Sequence, residues 1–179
     1  NYYTYNPRIG WYGNTFDTSM PQIYSNFFQI KDKTGGKGVV YAWAEVLRVA
    51  ASLKISDCYG PIPYSQVGQD GKLTAPFDTQ KAVYTKMFQE LSDAITTLTA
   101  NRTNDFSPNA EQVFGGKVEK WIKFANSLKL RMAIRIRYAD ATLAEQMVKE
   151  AISTENGQVG VMENNDDNAF MKVSLNPFY

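Results

Sequence analysis

The stretch VVYAWAEVLRVAASLKISD, residues 39–57, decides the fold class. Its polar positions Glu45, Arg48, Ser52 and Ser56 fall at i, i+3, i+7 and i+11 and form one narrow stripe. Nearly everything else in it is apolar: Val40, Trp43, Ala44, Val46, Leu47, Val49, Ala50, Leu53 and Ile55. That spacing predicts a helix, and a helix apolar round most of its girth is packed on more than one side. Asp57-Cys58-Tyr59-Gly60-Pro61 ends it, with glycine and proline placed as helix stops.

Toward the C-terminus the helical pattern repeats. Residues 58–78 read as a loop, with a turn at Gln69-Asp70-Gly71-Lys72. Asp78 is placed to cap a helix over about 79–99, whose buried stripe is Val83, Met87, Leu91, Ala94, Ile95 and Leu98. After a loop at 101–116, a helix over about 117–138 carries the ladder Trp121, Phe124, Ala125, Leu128, Met132 and Ile136. A further helix, about 141–154, opens with the capping box Thr142-x-x-Glu145 and buries Ala144, Met147, Val148, Ala151 and Ile152. Asn156-Gly157 ends it, and a Gly/Asn/Asp-rich tail follows.

Toward the N-terminus the pattern fades. Residues 1–28 hold nine aromatics (Tyr2, Tyr3, Tyr5, Trp11, Tyr12, Phe16, Tyr24, Phe27, Phe28) with neither helical nor alternating spacing, apart from a possible short helix around 21–29. Thr34-Gly35-Gly36-Lys37-Gly38 breaks the chain before the first long helix. The expected organisation is therefore an aromatic, loop-rich segment at 1–38, a helical core at 39–155 and a loop tail at 156–179. No convincing strand pair is visible, so the fold class is all-α, with loops of roughly 15–20 residues between some helices. Starts roughly 40 residues apart invite a helical-repeat reading, although the match to a tetratricopeptide consensus is poor.

Composition narrows the chemistry. The 179 residues fit one domain or a piece of a larger one, and 44% hydrophobic content can bury a core. Nineteen Lys and Arg against eighteen Asp and Glu give a net charge of +1, which argues against a protein built to hold nucleic acid. There is no histidine, which removes histidine triads, bases and metal ligands together. The single cysteine, Cys58, excludes an internal disulfide and a thiolate zinc site. It is also mid-chain, so it is not the modified N-terminal cysteine of a lipid-anchored protein. No run of eighteen apolar residues exists to span a bilayer.

Four clusters deserve weighing. Glu163-Asn164-Asn165-Asp166-Asp167-Asn168 offers oxygen ligands, but it lacks EF-hand spacing, and such clusters are ordinarily solvated turns. Paired carboxylates for glycoside hydrolysis can be drawn anywhere among eighteen acids, so they carry no signal without geometry. Residues 117–137 hold seven Lys and Arg against Glu119 alone. Lys117, Lys120 and Lys123 read as a solvated face, with Arg131 and Arg135 placed to pair with carboxylates such as Asp57 or Asp93. Among the N-terminal aromatics, Trp11, Tyr12 and Tyr5 have the chemistry of a sugar platform. Their flat rings can stack on a pyranose, and Asn6, Arg8 and Asn14 lie close in sequence to satisfy hydroxyls. The competing reading is that rings in this segment only pin it to the helices.

Three segments together resemble the SusD/RagB family. Ser56-Asp57-Cys58-Tyr59-Gly60-Pro61-Ile62-Pro63-Tyr64 is similar to its D-x-Y-G-x-[IV]-P-Y element. Pro76-Phe77-Asp78-Thr79-Gln80-Lys81-Ala82-Val83-Tyr84 resembles the segment that follows, and Lys120-Trp121-Ile122-Lys123-Phe124-Ala125-Asn126-Ser127-Leu128-Lys129-Leu130-Arg131 its KW-x-KFANSL-x-LR helix. They occur in family order with family-like gaps. The resemblance implies tetratricopeptide-like antiparallel helix pairs with long structured loops. It implies lipid anchoring at the outer membrane of Bacteroidetes-type bacteria through an anchor this chain lacks. It also implies non-catalytic binding of oligosaccharides, or in some branches peptides, for delivery to a SusC-like TonB-dependent transporter. No cofactor, metal or nucleic acid is implied, and family members are longer, so a fragment is expected. Within the motifs, Trp121, Phe124 and Leu128 are expected in the core, with Asn126 and Arg131 satisfying buried groups. A protein-binding helical-repeat scaffold and a carboxylate-based glycoside hydrolase stand as alternatives.

Overall fold

The computed structural model describes residues 9–68, 74–107, 109–155 and 157–171, without the side chains of Ile9, Trp11 and Tyr12. Five helices follow one another: α1 (Ile9–Thr34), α2 (Gly38–Tyr59), α3 (Gln80–Ala100), α4 (Val118–Ile136) and α5 (Ala141–Ile152). Among the described residues the one β contact is an isolated antiparallel bridge between Ile62 and Asp78. The expected all-α class holds. Each helix packs chiefly on its chain neighbours, and α2 also reaches α4.

The N-terminal reading needs correcting. Residues 9–34 are not loop-rich coil but one continuous helix of 26 residues, with Pro21 inside it. Proline there removes one backbone hydrogen bond and costs about 3 kcal/mol in an isolated helix. Packing offsets that cost. Phe16, Met20, Ile23, Tyr24 and Phe27 do follow a helical ladder, and Met20, Tyr24 and Phe27 are buried. The glycines, the proline and the polar residues between them hide that period. The helix stops where Gly36 N–H returns to the Lys31 carbonyl, 2.9 Å away.

α2 has the predicted character. It is buried on several sides, and Val46, Val49, Ser52 and Ser56 are wholly inaccessible. It ends at Gly60, whose φ of 77° suits glycine and whose N–H bonds the Ser56 carbonyl at 2.7 Å. Asp78, the expected cap of α3, is engaged elsewhere. Its carboxylate takes the N–H groups of Tyr64 (3.0 Å) and Ser65 (2.7 Å) and the Ser65 hydroxyl (2.8 Å). Thr79 caps α3 instead, accepting from the Ala82 N–H. The predicted capping box of α5 is likewise replaced. Asp140 accepts from the Leu143 N–H, while Glu145 pairs with Lys149.

The core is centred on α3 and α4. Trp121 is 1% exposed, while Phe124 and Leu128 are partly buried beside it. Trp121 meets Phe114 at 5.1 Å, Phe124 at 5.4 Å and Trp43 at 6.0 Å, all edge-on. The loop before α4 is built round buried Glu111, whose carboxylate takes the N–H groups of Val113, Phe114 and Gly116. Burial raises the pKa of Glu111, but these three donors outweigh it and hold the group below its ordinary value. Gly116 has φ 78°, and a Cβ there would lie 1.8 Å from the Phe106 carbonyl oxygen, so only glycine fits.

Candidate functional site

A cavity of about 610 Å³ opens between α1, α2 and α3, beside the 62–68 turn. Its floor is the part of α2 that carries Glu45 and Arg48, the start of the polar stripe. Arg48 is 7% exposed. One guanidinium nitrogen lies 2.8 Å from Glu90 Oε2 of α3 and 3.5 Å from Glu45 Oε1. The guanidinium lies over the Phe27 ring at 4.3 Å and the Tyr64 ring at 5.0 Å. Tyr64 donates its hydroxyl to Glu90 Oε2 at 2.5 Å, and Tyr24 of α1 donates to the Tyr64 carbonyl at 3.2 Å. Four segments thus converge on one buried cation.

The electrostatics are uneven. Glu90 shares Arg48, Tyr64 and, at 3.7 Å, Lys86. Among the described residues Glu45 has Arg48 at 3.5 Å and the Tyr41 hydroxyl at 3.4 Å. Burial, and next the Glu90 carboxylate, push Glu45 up to about 7. Burial also raises Tyr24 and Tyr64 above the ordinary phenol value.

The structure separates the sequence-predicted candidates. Tyr5 lies outside the described residues, as do the side chains of Trp11 and Tyr12, whose backbones sit at the start of α1. Of the other N-terminal aromatics, Phe16 packs on Tyr59 and Phe77, and Phe27 packs on Tyr41 and Arg48. Those rings pin α1 to the frame. Asn126 behaves as expected, donating to the Gly160 carbonyl at 2.8 Å, whereas Arg131 is exposed. Arg135 pairs with Asp57 at 3.1 Å.

The expectation about the lysine face needs correcting. Lys117, Lys120 and Lys123 are not merely a solvated face. They hold Asp105, the Asp166 carbonyl and Asp167, and so tie two loops to α4. Asp167 is correspondingly buried, in the short 3-10 turn Asn165–Asp167. The Arg48–Glu90–Tyr64 cluster went unpredicted. Its one sequence signal was an Arg and a Glu inside an otherwise apolar helix, a pattern that demands buried counter-charges.

Comparison with known proteins comes to the same frame. The family model described as SusD-like, Susd and RagB outer membrane lipoprotein, matches residues 1–179. A SusD homologue from Bacteroides uniformis is 44% identical with a TM-score of 0.77, over 84% of this chain and 31% of that one. A SusD-like protein from Bacteroides thetaiotaomicron is 36% identical with a TM-score of 0.83, over 92% and 34%. A chitin-binding SusD homologue from Flavobacterium johnsoniae is 33% identical with a TM-score of 0.84, over 93% and 35%. The chain thus spans about a third of the length of these structures. No curated protein matches it.

Proposed function

The chain belongs to the SusD/RagB family of outer-membrane lipoproteins, and on that premise we propose that it takes part in non-catalytic capture of oligosaccharides at the cell surface. Captured glycan would pass to a SusC-like TonB-dependent transporter, which supplies the energy. The observation that carries the reading is the likeness, across nearly the whole chain, to a homologue that binds chitin. A β-linked amino-sugar oligomer is therefore the first ligand to try.

The helices supply a rigid frame, and the aromatic N-terminal segment supplies the platform. Trp11 and Tyr12 are carried at the start of α1, which is held to the body through Tyr24 and Phe27. Tyr5 precedes them. Ring faces on such a segment bind the apolar face of a sugar without any bond being broken, and a sequence free of histidine suits that division of labour.

Calorimetric titration with chitotetraose, maltotetraose and cellotetraose tests the proposal. One of them should bind, and Trp11→Ala should weaken it by about tenfold, the scale of one stacked ring. Binding that ignores Trp11, Tyr12 and Tyr5 removes the assigned platform. Release of reducing sugar by the purified protein favours a glycoside hydrolase instead.

A further inference from the structure

We propose that the cavity between α1, α2 and α3 is a binding site for the primary ammonium group of a small ligand, an amino sugar or a peptide amino terminus, with Glu45 as its anion. The reading is independent of glycan stacking on the N-terminal aromatics.

The geometry points to a missing donor. A buried carboxylate is stable when several short hydrogen bonds replace its water. Glu45 is 8% exposed and lines the cavity, yet its two bonds, at 3.4 and 3.5 Å, are at the outer limit and both end on Oε1. Its Oε2 has no protein donor among the described residues and is open to solvent rather than sealed. Arg48 does not relieve it. That guanidinium is committed to Glu90 at 2.8 Å and packs on the Phe27 and Tyr64 rings. Asp78 and Glu111, by contrast, each collect three donors.

The charge balance selects a cation. Three acidic or basic side chains lining the cavity are buried, Glu45, Glu90 and Arg48, and with Glu45 ionised they are two anions against one cation. The neutral groups facing them are the hydroxyls of Tyr24 and Tyr41 and the Tyr64 ring. The remaining charges are exposed at the rim: Lys31 from α1, Lys37 before α2, and Lys86 and Asp93 from α3. Lys86, on a half-exposed side chain, reaches Glu90 rather than Glu45. An entering ammonium would supply the second buried positive charge and donate directly to Glu45. A space of about 610 Å³ admits a monosaccharide or a dipeptide.

The test is calorimetry on the full chain with two matched pairs: D-glucosamine against N-acetyl-D-glucosamine, and glycylglycine against N-acetylglycylglycine. At least one amine should bind at pH 7.5, and its acetylated partner at least tenfold more weakly. The pair that responds identifies the source. Affinity for the amine should fall by about fivefold at pH 6.0: protonation of Glu45 alone lowers it about eightfold, and the amine, part neutral at pH 7.5, gains charge and offsets some of that. Glu45→Gln should abolish binding with helical content unchanged. Lys86→Met, which removes a competing rim cation, should tighten it severalfold even if the Glu45 variant fails to fold. Equal affinity for the acetylated partner, no binding of either amine, or undiminished binding by folded Glu45→Gln would overturn the assignment.

Discussion

Around Trp121, rings from α2, α4 and the loop before α4 close edge to face on one another. Around Arg48, about one and a half turns along α2 from Trp43, the same scaffold buries two carboxylates, one guanidinium and a phenol beside open space. The first cluster draws its strength from area and shape, which do not change with pH. The second draws it from matched charges, and one of those matches, at Glu45, is incomplete. A frame that needed only rigidity would be built the first way throughout. The second arrangement holds its parts just as firmly and still leaves a charged group ready to respond to protons or to a guest.

The largest effect expected is at the apolar cluster. Trp121→Ala should cost about 4 kcal/mol, seen as a lowered denaturant midpoint equally at pH 5.5 and pH 8. A strongly pH-dependent loss there would erase the distinction between the two regions. Arg48→Met at pH 8 should cost about 3 kcal/mol, because it strands Glu90 and Glu45 without their buried cation. A neutral or stabilising result would mean that the cluster is already open to water.

Titration sharpens the contrast. Glu45 moves from 4.5 to about 7 on folding, so the folded state holds the proton more tightly than the unfolded one. Its contribution therefore favours folding most when the group is protonated, and stability falls as pH rises from 4.5 through 7. Between pH 5.5 and 8 the loss should be about 2 kcal/mol, and Glu45→Gln should flatten it. The smallest effect is at the edge of the frame. Asp140→Ala should lower stability by about 1 kcal/mol through the lost α5 cap, while Thr142→Ala should leave the unfolding midpoint unchanged.

What could be seen in the residues alone divides along the same physical line. α2, α3 and α4 declared themselves because their ladders are strong and local. α1 did not, since Gly10, Gly13 and Pro21 lower local propensity, and only contact with the body compensates. Caps were misassigned where two competent residues sit close together. Asp78 and Thr79 both qualify, and the choice is made by donors at Tyr64 and Ser65, over ten residues upstream in the chain. The sites divide likewise. The Trp11–Tyr12 pair could be nominated from side-chain chemistry. Glu45, Arg48, Tyr64 and Glu90 come from three segments, and nothing in their local sequence says that they meet.

One consequence of neighbour-on-neighbour packing reaches beyond any single site. A helix that leans mainly on the one before and the one after makes an almost linear array, whose stability accumulates interface by interface. α5, at twelve residues the shortest described α-helix, is joined mainly through α4, so among the described helices its stability hangs on that one interface, whereas α2 and α3 each draw on at least two. A change that weakens the α4–α5 face would therefore be felt at α5 first and at the α2–α3 pair least.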